Sequence, residues 1–268
     1  MPSEDRVRIE KKDGIADLQM VREDKLNAID LDMFAALVEA GLELAQDRSL
    51  RAVVLSGRGR GFCAGLDIPS VMAGLGERKG PNLLSRDGTS PANLAQRCAW
   101  VWQELPVPVI AAVHGVAYGG GLQIAMGADI RYVAPDARLS VREVHWGLVP
   151  DMSLTQTLRH IVPLDVAKEL TFTARIFSGR EAKELGIATH LSDDPHAEAL
   201  ALAREIASRS PSAVRAAKQL WNRAVQGSVE EGLGLEEQLQ RSLLGSPNQV
   251  EAVQANLQKR EPSFQDPE

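Results

Sequence analysis

The sequence predicts an α/β fold, and three observations carry that prediction. Short apolar strands alternate with amphipathic helices through roughly the first 150 residues. Two of the strands run directly into glycine-rich turns. Beyond residue 193 the pattern is helical only.

Taken in order, residues 7–21 alternate loosely and read as a hairpin turning at Asp13-Gly14. Asp30 is a good N-cap for a helix with apolar positions at Leu31, Phe34, Leu37, Val38, Leu42 and Ala45. Residues 51–55 suit a short buried strand that stops at Ser56-Gly57, and residues 57–65, with four glycines, suit a loop. Residues 73–91 carry Gly74, Gly76, Gly80, Pro81, Gly88 and Pro91, and read as a surface loop within the domain. A helix is expected over 92–104, a buried strand over 107–113, a turn at Gly115 and a helix from about Gly120. Shorter strands suit 129–133 and 139–141.

After residue 150 helices take over, at 153–160 and 164–173. Ser178-Gly-Arg-Glu181 has the form of a capping box, and Gly186 closes the helix it opens. Residues 187–191 suit a last strand. Four amphipathic helices follow, at 195–208, 211–226, 229–244 and 247–259. Asp193-Asp194-Pro195 divides a core, 1–192, from a helical region, 193–268, whose apolar faces predict subunit contacts. No fixed-period repeat is present.

Composition narrows the function. With 44% hydrophobic and 25% charged residues, the chain is an ordinary globular protein rather than a disordered or fibrous one. Thirty basic residues against 36 acidic ones give a net charge of −6 with no basic block, which argues against nucleic acid and anionic membranes. Only 4% of residues are aromatic, too few for a platform that stacks bases. A small anionic ligand needs only a local positive patch and stays open. Cys63 and Cys98 form no CxxC pair and read as reduced thiols of a cytoplasmic protein. The charged N-terminus predicts no signal peptide. The longest apolar run, Val107 to Val113, is broken by Pro108 and is too short to span a bilayer.

Several chemistries lack their motifs. There is no nucleophile elbow, phosphate loop or H-E-x-x-H. The histidines, at 114, 145, 160, 190 and 196, have no ligand spacing, so no metal site is expected. Gly119-Gly120-Gly121 lacks the dinucleotide register. What remains are the two turns, Gly61-Phe-Cys-Ala-Gly-Leu-Asp-Ile68 and His114-Gly-Val-Ala-Tyr-Gly-Gly-Gly-Leu-Gln-Ile124. Glycine lets a ligand approach the backbone, and a helix start leaves N–H groups without intrahelical partners. Two such turns can supply the converging donors of an oxyanion hole. Tight strand–helix packing also uses glycines, and spacing alone leaves both readings open.

The chain resembles the crotonase, or enoyl-CoA hydratase/isomerase, family. The resemblance rests on Lys25-Leu-Asn-Ala-Ile29, Gly61 to Ile68, Pro108-Val-Ile-Ala-Ala-Val-His-Gly115, Gly119-Gly-Gly121 and Ala128-Asp-Ile130. Glu143 with Gly147-Leu-Val-Pro150, Phe177 to Ile187 and Lys259-Arg-Glu-Pro-Ser-Phe264 extend it in family order over nearly the whole chain. It implies a crotonase-like spiral of ββα units with a C-terminal helical trimerisation region, assembled as a homotrimer or a hexamer of two trimers. It implies an acyl-CoA thioester as substrate, with coenzyme A as part of that substrate, no permanently bound cofactor, and a place in fatty acid metabolism. The oxyanion-hole N–H groups fall on Leu66 and Gly120. The coenzyme A portion falls against Lys25, the backbone of Ala64 and the Asp67-Ile68 turn, with Lys259 reaching the phosphates from a neighbouring subunit.

In the family, hydration resembles a two-carboxylate mechanism. One carboxylate matches Glu143, and the other falls on Gln123, two residues past the triple glycine. An amide can orient a substrate or a water, which sets Gln123 among the substrate-binding residues unless it is inert packing, but it is no base near neutral pH. A double-bond shift needs less, because a single base can take a proton from one carbon and return it to another. The dienoyl-CoA isomerase branch carries an aspartate eight residues beyond the glutamate, matched by Asp151, and a further acid where Gln123 stands. Isomerisation through Glu143 and Asp151 is therefore the favoured expectation. The alternatives are a slow or specialised hydratase and a non-catalytic acyl-CoA-binding trimer. Asp151 also suits an N-cap, and His145 and Trp146 suit the wall of an acyl pocket.

Overall fold

The computed structural model describes residues 6–76 and 82–267. The hairpin forms as predicted. β1 (Val7–Lys12) pairs antiparallel with β2 (Ile15–Met20), with Asp13 and Gly14 at positive φ in the turn. α1 (Leu31–Ala45) begins where the Asp30 carboxylate accepts the Met33 N–H at 2.9 Å. β3 (Ala52–Gly57), α2 (Ile68–Gly76), α3 (Leu94–Glu104) and β4 (Val109–Val113) follow. Then come β5 (Val116–Tyr118), α4 (Gly120–Gly127), β6 (Ile130–Val133), β7 (Arg138–Ser140), α5 (Leu154–Leu158) and α6 (Leu164–Thr173). β8 (Phe177–Ser178), α7 (Gly179–Glu184) and β9 (His190–Leu191) complete the sheet region.

The strands make two sheets, ordered β1-β2-β3-β4-β6-β9 and β5-β7-β8. The chain alternates between them. β4 leads to β5 and then α4, and β6 leads to β7 and then α5 and α6. β3 likewise leads to Cys63, which bridges Ala117 beside the second sheet, and then to α2 and α3. This is a spiral of ββα units. From β2 to β9 the larger sheet is parallel, and its central strands are buried on both faces, as parallel strands with covered faces must be. Val53, Leu55, Val109, Ala111 and Val113 face the main core, built around Trp102, Phe34, Phe62 and Phe177. Ala52, Val54, Ile110 and Ala112 face the other way, onto Ala199 and Ala203.

Those two alanines belong to α8 (Pro195–Ala207), followed by α9 (Pro211–Ala224), α10 (Val229–Leu243) and α11 (Pro247–Gln258). The helical region expected from residue 193 thus begins with a helix that covers the sheet. α9 is tied down by Lys218, whose buried ammonium donates to the Trp102 and Val107 carbonyls at 2.8 and 2.9 Å and pairs with Asp129 at 2.8 Å. α10 buries none of its residues, and Val229 and Leu233 stand 80% and 59% exposed.

Three local expectations need correction. Residues 73–76, expected in a loop, lie in α2. The Asp67 carbonyl accepts the Val71 N–H, and Ile68, Val71 and Met72 have helical spacing that local glycines do not undo. Residues 77–81 of that stretch lie outside the described residues, and 82–91 form turns. The box at Ser178 is half made: Ser178 accepts the Glu181 N–H at 3.1 Å, but the Glu181 carboxylate turns to Arg175 at 2.6 Å. Asp151 is not an N-cap, since α5 starts at Leu154 with Ser153 before it. Among the described residues, no helix is long and apolar enough to cross a membrane.

Candidate active site

The two glycine turns meet. Cys63 exchanges backbone hydrogen bonds with β5, its N–H donating to the Val116 carbonyl and its carbonyl accepting the Tyr118 N–H, both at 3.0 Å. Gly65 sits at φ +86°, and a Cβ there would lie 2.5 Å from the Tyr118 carbonyl oxygen, so only glycine permits this approach. The same hypothetical Cβ lies 3.6 Å from the Gly120 nitrogen. Leu66 bridges Ile29, whose N–H donates to the Gly65 carbonyl at 2.8 Å. Neither the Leu66 N–H nor the Gly120 N–H donates to another described residue. For Gly120 the reason is general, because the first residue of a helix has no carbonyl behind it.

Both N–H groups border one cleft of about 510 Å³. Ile68, Val71, Met72, Leu84, Phe34 and Trp146 give it an apolar wall, and Tyr118, Arg142, Glu143 and Asp151 give it polar groups. A larger groove, about 1100 Å³, lies between α3 and the C-terminal helices, but it brings together neither glycine turn.

Glu143 opens a 3-10 turn, Glu143–Trp146, and is 8% exposed. Its Oε1 accepts a 2.6 Å hydrogen bond from Gln123 Nε2, and its Oε2 is buried without a partner. Gly119, at φ +50°, leaves room for that carboxylate: a Cβ there would lie 3.0 Å from Oε1. The amide oxygen of Gln123 accepts the Met152 N–H at 2.9 Å. Burial pushes the Glu143 carboxyl above its usual value, and the nearby charge of Asp151 adds to the rise, against the hydrogen bond from Gln123. Asp151 itself is exposed at the cleft rim, yet the atoms crowded around it hold its carboxyl above the usual value as well. Two carboxyls with raised affinity for protons therefore share one cleft with two unengaged backbone donors. Such a site can take a proton from a carbon acid and hold the negative charge that results.

The other expected residues divide. Ala64 and Ile68 line the cleft, and the Ala64 N–H donates to the Leu26 carbonyl at 2.9 Å. Asp67 stands just behind. Burial would raise its carboxyl, but hydrogen bonds from Arg22 and Ser70 outweigh that and hold it below the usual value; the Arg22 pair is 2.8 Å. Lys25 is exposed on a 3-10 turn, Glu23–Lys25, and Lys259 is exposed at the C-cap of α11; neither lines the cleft. Trp146 lines it; His145 does not, and neither does Gln123, which is buried with both ends of its amide engaged within the protein rather than free for a substrate. Burial pushes the Cys63 thiol up to about 12, which makes it a packing group rather than a nucleophile. The sequence reading missed Phe34, Tyr118, Arg142 and Met152 as cleft residues. The apolar spacing of Ile68, Val71 and Met72 was the available signal for the wall.

Known proteins resemble this chain along nearly its whole length. A model of the enoyl-CoA hydratase/isomerase family matches residues 10–267. The chain is 34% identical over 249 residues to the peroxisomal Delta(3,5)-Delta(2,4)-dienoyl-CoA isomerase of Arabidopsis thaliana, covering 91% of this chain and 90% of that one. It is 31% identical over 273 residues to the mitochondrial methylglutaconyl-CoA hydratase of Mus musculus, covering 98% and 84%. The crystal structure of an enoyl-CoA hydratase from Mycobacterium tuberculosis H37Rv superimposes with a TM-score of 0.86 at 28% identity, covering 98% and 100%. The chain belongs to the enoyl-CoA hydratase/isomerase family of the crotonase superfamily.

Proposed function

We propose that the protein is an isomerase that moves a double bond in an enoyl-CoA or dienoyl-CoA thioester. The observation that carries this reading is the partner of Glu143: an amide, Gln123, stands where gripping a water between two acids needs a second carboxylate. In the mechanism, Glu143 takes a proton from the carbon next to the thioester. The C–H electron pair moves into the carbonyl, and the N–H groups of Leu66 and Gly120 hold the oxyanion, each donor lowering the barrier by about 3 kcal/mol. The proton returns to a carbon further along the chain, from Glu143 or from Asp151 acting as the acid. The net reaction conserves mass.

Coenzyme A lies, on this reading, along Ala64 and the Asp67-Ile68 turn, with Lys25 and a neighbouring subunit's Lys259 toward its phosphates. The open apolar face of α10 supports a homotrimer or hexamer, which sedimentation of the purified chain checks. Two buried, unpaired cysteines suit a reducing compartment such as the cytoplasm.

The test supplies a 2-enoyl-, a 3-enoyl- and a 3,5-dienoyl-CoA separately and reads product mass. A mass-neutral product from the 3-enoyl or dienoyl substrate is expected. A hydrated product at an ordinary enzymatic rate overturns isomerisation in favour of the hydratase reading, which the methylglutaconyl-CoA hydratase relative supports. No turnover of any of them shifts the reading to another thioester reaction or to thioester binding alone.

A further inference from the structure

Gln123 lies 20 residues from Glu143 in sequence, and the spiral brings them together inside the protein. Its amide makes two bonds in opposite directions. The nitrogen donates to Glu143 Oε1 at 2.6 Å, and the oxygen accepts the Met152 N–H at 2.9 Å. Met152 directly follows Asp151, so one side chain joins the turn that carries Glu143 to the turn that carries Asp151. The two oxygens of Glu143 are thereby made unequal. Oε1 is engaged by the amide and packed beside Gly119, whereas Oε2 is buried with no partner.

We propose that Gln123 is a positioning residue that occupies Oε1 of Glu143, assigns proton transfer to Oε2, and fixes the Asp151–Met152 turn against the same carboxylate. The inference rests on the functional reading above for its kinetics, but not for its titration. A neutral donor suits the task because it favours the anion that a base requires, while adding no charge of its own. The balance of the transfer is simple. A C–H bond breaks as an O–H bond forms on Oε2 and the electron pair passes to the thioester oxygen; the O–H bond then breaks as a new C–H bond forms further along the acyl chain, and the pair returns from the oxygen. The charged groups beside Glu143 are Asp151 on the adjoining turn and Arg142 next to it in the chain. Arg142 directs its guanidinium to the Ala174 carbonyl at 2.9 Å.

The test compares the wild type with Gln123→Met, which keeps length and loses the donor, and Gln123→Glu. The Glu143 carboxyl is titrated by NMR in protein labelled with 13C-glutamate, its signal assigned by its loss in Glu143→Gln. In parallel, kcat and KM are followed against pH on whichever enoyl-CoA the wild type converts. For Gln123→Met the carboxyl titration should rise by about one pH unit, and kcat should fall about 10- to 100-fold, the equivalent of one hydrogen bond to a charged group. KM should stay within about twofold, and the acid limb of kcat should move with the titration. Gln123→Glu should restore most of the rate, because two carboxyls that close keep one shared proton and with it the hydrogen bond. If Gln123→Met does not fold, Gln123→Asn, one methylene short, carries the same expectation. An unmoved Glu143 titration overturns the proposal, as does a rate loss in both variants with the limb unmoved, which is what lost packing alone produces. An inactive wild type sinks the functional reading instead, while the titration still decides the role of Gln123.

Discussion

The cleft floor and the C-terminal helices are built to opposite standards of completion. At the floor, Gln123, Glu143 and Met152 are covered by the chain's own atoms, and the Gln123 amide, the Glu143 carboxylate and the Met152 N–H are matched to one another down to one orphan oxygen. In α10 no residue is buried, and Trp221 on neighbouring α9 is 71% exposed. Of the two, only α10 shows the amphipathic spacing of a half-covered helix; α4, which carries Gln123, is buried on every side. The difference teaches that such spacing says a face will be covered, not by what. The floor finds its cover within one chain; α10 does not.

The largest break falls on the floor. Glu143→Gln keeps the size of the side chain and should fold normally while losing about 10²- to 10⁴-fold in kcat. Turnover beside a melting curve checks it, and an unchanged rate on every enoyl-CoA would remove Glu143 as the base. Because burial raises this carboxyl above 4.5, activity that needs the anion should fall as pH drops through a value above 4.5. The next effect strikes the joint between the two regions. Asp129→Ala leaves the Lys218 ammonium buried without its counter-ion, and denaturant unfolding should show a loss of about 3 kcal/mol.

Smaller effects sharpen the comparison. Asp151→Asn, at the exposed rim, should cost about tenfold in kcat, because Glu143 retains the proton-abstracting role. A loss as large as that of Glu143→Gln would instead make the pair inseparable. The smallest concerns α8, whose Ala199 and Ala203 pack onto the sheet. His196 donates a 3.0 Å hydrogen bond from Nε2 to the Asp17 carboxylate, and that contact holds the imidazole above its usual 6.5. Its stabilisation is complete below 6.5 and disappears as pH rises through the raised folded value. His196→Gln should flatten that dependence, by less than about 1 kcal/mol since water reaches the pair.

The elements written in local pattern were legible. The hairpin at Asp13-Gly14, the cap at Asp30 and the four C-terminal helices stand within two residues of their expected ends. β5, three residues inside a glycine-rich turn, was not, because its strand character comes from Cys63 and β7 rather than from its own residues. The same limit applied at the floor. The family resemblance led to the expectation that Gln123 stands in for an acid, but the sequence did not say that its amide faces Glu143 and holds Met152, since those contacts exist only after the coils of the spiral stack. Lys25 and Lys259 show the converse: a motif can mark a residue without saying what stands beside it.

The alternation of the chain between its two sheets also sets an order in time. A ribosome delivers Leu66 with the first coil, Gly120 with the second, and Glu143 only with the third, while the Met152 amide that braces Gln123 comes last. On the proposed mechanism, a chain that stops short of residue 143 lacks its base whatever else it carries, so truncation there leaves an inert product rather than a half-active one.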